Sequence, residues 1–192
     1  MAKKQDHKKQ QKQMKKKQKA KDRKSIPSTP DIGRSYTAIA KAATNFPIDN
    51  CYINVDWNIT GLAQITIKRR QPDGGITFAA LMVDTLCLGV KDTMLHYDVT
   101  NSGFSDFMMQ YYRTSAAEEV TSDFVHQLIY QAIDYAAQFG LKPHRDFTRS
   151  QQFFTPRDKI TEKETFVFGR DGKPTFISGP YDNVKATSTL SI

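Results

Sequence analysis

Along CYINVDW (51–57) the residues Cys51, Ile53, Val55 and Trp57 alternate with Tyr52, Asn54 and Asp56. A period of two sends the first set to one face of a strand and the second to the other, so 51–57 is expected to be a strand with one buried face. Two longer apolar runs, LAQITIKRR (62–70) and ITFAALMVDTLCLG (76–89), flank QPDGG. Pro72 suits the first turn position and Asp73 the second, and Gly74 is free to take a positive φ, which together predict a β-hairpin. With Pro72-Asp73-Gly74 as the loop, Gln71 faces Gly75, Ala79 faces Ile67, Leu81 faces Ile65 and Val83 faces Ala63. One face of the hairpin is then wholly apolar. The other carries Gln64, Thr66, Lys68, Phe78, Met82 and Asp84 and reads as a mixed surface; a slip of one residue would bury Asp84 beside Ile65 and Ile67 at high cost.

Elsewhere the period changes to that of a helix. SYTAIAKAATN (35–45) offers Ser35 as a cap and Ile39, Ala42 and Ala43 on one side, ending before Pro47. FSDFMMQYYR (104–113) clusters Phe104, Phe107, Met108, Tyr111 and Tyr112 at helical spacing. TSDFVHQLIYQAIDYAAQFG repeats Val125, Leu128, Ile129, Ala132, Ile133 and Ala136 at three and four, with Thr121 or Ser122 to cap it and Gly140 to stop it. ETFVFGRDGKPTFI (164–177) reads as a second hairpin turning at Asp171-Gly172, with Phe166, Phe168 and Phe176 toward the core. The order helix, three strands, helices, hairpin predicts an antiparallel sheet with helices packed on it: one α+β domain over 34–182, followed by a frayed end at 183–192.

Charge divides the 192-residue chain more sharply than hydropathy does. Lys3, Lys4, Lys8, Lys9, Lys12, Lys15, Lys16, Lys17, Lys19, Lys21, Arg23 and Lys24 stand against only Asp6 and Asp22 in the same stretch, a local balance of +10, and the rest of the chain comes to −2. Met14 and Ala20 are almost the only apolar residues there, so residues 1–33 are expected to form a disordered Lys-rich tail and linker. Its density of cations is that of an arm that neutralises phosphate. With no apolar stripe in it and no stretch near the ~18 apolar residues of a membrane span, no membrane insertion is expected. No secretory leader is visible, and Cys51 and Cys87 form no CxxC pair, which points to a cytoplasmic protein with reduced, core-packed thiols.

No glycine-rich phosphate loop, nucleophile elbow or HExxH motif is present, so no cofactor and no dedicated metal site are expected. Candidate chemistry rests on scattered residues. Asp84, Asp92, His96, His144 and Asp146 fall at or near element ends and are oxygen and imidazole donors of the kind a metal-dependent nuclease or phosphoesterase requires. His126, beside the apolar stripe of its helix, reads as structural. Lys68, Arg69 and Arg70 either extend a phosphate track from the tail or serve as edge charges that block strand pairing.

Helix-strand-strand-strand-helix from residue 35 resembles the double-stranded-RNA-binding domain, but 121–139 contains no Lys or Arg to meet phosphate at the last helix, and the likeness stops at topology. RRQPDG, VDTLCLGVKD, LKPHRDF and FGRDGKP together resemble a family of small bacterial proteins over about residues 50–180. That resemblance implies a bacterial origin and a shared domain, and no particular chemistry. The expectation is a non-enzymatic protein binding RNA or the ribosome through its tail. A metal-dependent nuclease or phosphoesterase, and a protein-interaction module of a bacterial complex, stand as alternatives.

Overall fold

A computed structural model describes residues 35–176. The basic tail expected at 1–33, and the frayed end expected at 183–192, lie outside the described residues. The elements are α1 (Tyr36–Ala43), β1 (Ile48–Asn54), the single turn α2 (Trp57–Thr60), β2 (Leu62–Arg70), β3 (Ile76–Asp84), β4 (Gly89–Val99), α3 (Asn101–Tyr111), β5 (Ala117–Val120), α4 (Ser122–Ala137) and α5 (Arg145–Ser150), with 3₁₀ turns at Gln151–Phe153 and Arg157–Lys159. The strands form one antiparallel sheet in the order β4-β3-β2-β1-β5, and helices pack on it, as an α+β fold requires.

The hairpin has the expected register: Ala63 faces Val83, Ile65 faces Leu81 and Ile67 faces Ala79. Its loop closes through the Gln71 N–H on the Gly75 carbonyl at 2.9 Å, with Gly74 at φ 89°, a conformation that costs glycine nothing. Ser35 and Thr121 cap their helices through side-chain oxygens, and Gly140 ends the α4 segment at φ 74°.

Several expectations need correction. The first strand stops at Asn54, not at Trp57, because the Asn54 amide takes over the next places in the ladder. Its Oδ1 accepts from the Gln64 N–H at 2.7 Å and its Nδ2 donates to the Leu62 carbonyl at 3.1 Å, leaving Val55 half-exposed and Trp57 at the start of α2. The third strand stops at Asp84, and a strand absent from the prediction follows it. A bulge between Val90 and Asp92 puts the alternation of VKDTMLHYDV out of phase, which hides β4 from a period-two reading. AEEV, with Val120 its one sizeable apolar residue, forms β5 as an edge strand too short to show an apolar pattern.

The second hairpin is reduced to a single bridge between Arg170 and Lys173. Upstream of it, the backbone is satisfied by α4 and not by a strand. Glu164 N–H donates to Gln127 Oε1 (2.7 Å), Phe166 N–H to Gln131 Oε1 (3.1 Å), and Gln131 Nε2 to the Glu164 carbonyl (2.6 Å). Phe166 and Phe168 are half-buried against the main core as this segment runs along the helix.

Both faces of the sheet are covered. On one, Cys51, Ile53, Ala63, Ile65, Ile67, Ala79, Leu81 and Val83 pack under α1, α4 and α5. On the other, α3 lays Phe104, Phe107, Met108 and Tyr111 over Ile76, Phe78 and Ala80. The face expected to be a mixed surface is therefore a second, smaller core.

Candidate functional site

Asp84 lies on the α3 side of the sheet, as the register requires, but it does not face water. It is buried at the end of β3, and its Oδ1 accepts the N–H groups of Leu86 and Cys87, each at 2.9 Å. Burial pushes the carboxyl above its ordinary value, and the backbone donors of Cys87, Leu86 and Leu88 pull it back. Its work is to shape the β3–β4 turn.

The other four acid and imidazole candidates do not join it. His96 is half-buried beneath α3, stacked on Phe78 at 4.5 Å and near Phe107 at 5.1 Å, and desolvation lowers its pKa. His144, Asp92 and Asp146 do approach one another: His144 Nδ1 lies 3.7 Å from Asp92 and 3.9 Å from Asp146. Those separations exceed a hydrogen bond, and Asp146 is drawn to Arg149 at 3.3 Å. Among the described residues, no group of three His, Cys, Asp or Glu side chains is placed to hold a metal ion.

Nor do Lys68, Arg69 and Arg70 form a phosphate track. Lys68 and Arg70 each meet Asp49 Oδ2 at 2.8 Å, and Lys68 also donates to Asn50 Oδ1 (3.1 Å) and lies over the Phe104 ring. The hydrogen bond from Lys68 is the largest influence holding the Asp49 carboxyl below its ordinary value. Arg69 points to the opposite face of the sheet and is buried. Its Nε and Nη2 donate to the Phe153 carbonyl at 3.2 and 2.7 Å, and its Nη1 to the Phe46 carbonyl at 2.6 Å.

His126 is the structural histidine its position suggested. It is fully buried, with Nδ1 donating to the Ser122 carbonyl (2.6 Å) and Nε2 accepting the Thr155 N–H (3.0 Å). Cys51 and Cys87 are buried free thiols, and burial raises that of Cys51 to about 12.

Where α1, α4 and the 151–159 segment meet, a cleft of about 640 Å³ opens onto Arg69. Thr44, Tyr130, Gln151, Gln152, Phe154 and Arg157 contribute to its walls, and Lys159 stands on the same lining. Arg157 lies over the Tyr130 ring at 4.5 Å and is held bidentately by Asp134 at 2.6 and 2.8 Å. Sequence reasoning passed over this region because QQFFTPRDK shows neither period. The available signal was a run of more than 20 residues between α4 and the final turn without a long regular element, with amides and cations around two phenylalanines. Comparison of the chain with family models, with characterised proteins and with solved structures produced no significant match in any of the three.

Proposed function

We propose that this chain is a cytoplasmic bacterial protein, non-enzymatic, that associates with the ribosome or another structured RNA. Residues 3–24 supply the phosphate contacts and the α+β body supplies a specific protein or RNA contact. The observation that carries the reading is the segregation of charge, +10 in the arm against −2 in everything else. Support comes from the cations at the end of β2: Lys68 and Arg70 are paired with Asp49 and Arg69 is turned inward, so they do not extend the arm's charge as a phosphate track. Among the described residues no helix is long and apolar enough to cross a membrane. The acids and histidines that a nuclease would need are divided between the α3 face, which holds Asp84 and His96, and one edge of the sheet, where Asp92, His144 and Asp146 lie, which favours the non-enzymatic reading.

The test is RNA binding and co-sedimentation with ribosomes across a salt series, for the full chain and for a chain lacking residues 1–25; the described fold begins at Ser35. If about six arm cations meet phosphate, affinity falls on the order of a thousandfold between roughly 50 and 200 mM salt, and the deletion abolishes it. Unchanged low-salt binding after the deletion sinks the proposal.

A further inference from the structure

Arg69 is a buried cation without an anion. It sits at the end of the apolar face of β2, 8 % exposed; its hydrogen bonds within the described residues go to backbone carbonyls, and the Phe153 ring lies 5.0 Å from the guanidinium. A guanidinium carries five N–H donors and does not give up its proton, so three bonds to carbonyls leave one hydrogen on each Nη and a positive charge met only by carbonyl dipoles and a ring face, with no carboxylate. Isolated buried charge is costly unless something pairs with it. The cleft in front of Arg69 is lined by no Asp or Glu. Arg157 on its wall is neutralised by Asp134, but Lys159 has no carboxylate partner among the described residues, so the lining as a whole is positive. Gln151 and Gln152 add neutral donors and acceptors, and Phe154 and Pro156 add an apolar wall. A cleft of about 640 Å³ has the size of a small-molecule site.

We propose that this cleft binds a phosphomonoester of nucleotide size, with the phosphate held by Arg69 and Lys159 and the remainder of the ligand against Phe154, Pro156 and the glutamine amides. A phosphate dianion supplies the acceptors that the free Nη hydrogens lack and the charge that the lining lacks. The site belongs to the body alone and does not depend on the arm's binding RNA.

The test uses the full chain labelled with ¹⁵N and titrated with adenosine 5′-monophosphate, inorganic phosphate and adenosine. Amide shifts of Gln152 and Thr155 that saturate with the nucleotide, tighter than with inorganic phosphate and absent with adenosine, are the expected result. Lys159→Ala removes an exposed side chain on which no fold contact depends, and it weakens nucleotide binding about tenfold. An Arg69 substitution would also strip the Phe46 and Phe153 carbonyls of their donors, so Lys159 is the cleaner variant. Shifts confined to residues 3–24, affinity indifferent to Lys159→Ala, or inorganic phosphate matching the nucleotide would each overturn the proposal.

Discussion

The two faces of the sheet are covered by different chemistry, a large core under α1, α4 and α5 and a smaller one under α3. Under α1, α4 and α5 the strands present an almost uninterrupted apolar stripe, and two large polar groups on that side, Arg69 of β2 and His126 of α4, are held by backbone groups. Under α3 the same strands present Thr66, Lys68 and His96 against aromatic rings, and Asp84 at the end of β3, several with a specific partner. Tyr112 donates toward Thr66 Oγ1 at 3.1 Å, Lys68 reaches Asp49 at 2.8 Å and Asp84 takes two turn amides at 2.9 Å. The first face gains stability from area and packing; the second depends on individual bonds that are costly to leave unmade. Substitutions on the two faces should therefore fail by different routes.

The largest expected effect is on the apolar face. Ile65 is completely buried and pairs with Leu81 and Ile53 across two strands. Ile65→Ala leaves a cavity that the surrounding sheet cannot close, and the expected loss is about 4 kcal/mol in urea unfolding with an unchanged m-value. A loss under about 1 kcal/mol would mean that this core is loosely packed and that the contrast between the faces is false.

His126 tests the same face through pH. Burial, with a smaller contribution from the Arg69 charge, pushes its pKa down to about 4, while the Ser122 carbonyl and Asp123 act in the opposite direction. In the unfolded chain the ring takes a proton near its ordinary value of 6.5, whereas the folded state refuses it until about 4. The contribution to stability is thus complete above pH 6.5 and is lost as pH falls toward 4, on the order of 3 kcal/mol in all. His126→Gln flattens the stability curve across that window; a curve unaltered by the substitution would show that another group causes the acid sensitivity.

How legible each face was follows from the same contrast. Ala63, Ile65, Ile67, Ala79, Leu81 and Val83 declare a buried face by composition, and Pro72-Asp73-Gly74 sets the register, so the hairpin and the main core were readable from the chain. The α3 face was not. Its residues sit at correct alternate positions, but their polarity imitates a solvent surface, and only the tertiary placement of Phe104, Phe107 and Tyr111 over them reveals a core. β4 was obscured by its bulge, and 164–169 by glutamines of α4 that satisfy the backbone as a partner strand would. At the candidate site, Asp92, His144 and Asp146 were readable as residue types, and their approach at one sheet edge was not. The cleft before Arg69 escaped because a cation at the end of a strand reads as an edge charge until Phe46 and Phe153 are seen to enclose it.

Asp84 sharpens the comparison with the smallest of the three effects and the most specific pattern. Replacing it by Ala creates little cavity but strips the Leu86 and Cys87 amides of their acceptor, and the buried Cys87 amide then has no replacement on this residue. The expected cost is about 2 kcal/mol. Asp84→Asn keeps an oxygen in the same place and removes a charge that burial disfavours, so it should restore most of that loss and stabilise relatively more at higher pH. The sign follows from the raised folded-state pKa: as pH rises past the unfolded value, the native chain must hold an ionised carboxylate that it binds less well than water does, and only the aspartate form bears that cost. Paired thermal melts of the wild type, Ala and Asn forms at pH 4 and pH 8 give the answer. If Asn is as damaging as Ala at both values, the turn requires the charge and not merely an acceptor, and the α3 face would then hold Asp84 by electrostatics from the Leu86–Leu88 amides rather than by hydrogen-bond satisfaction alone.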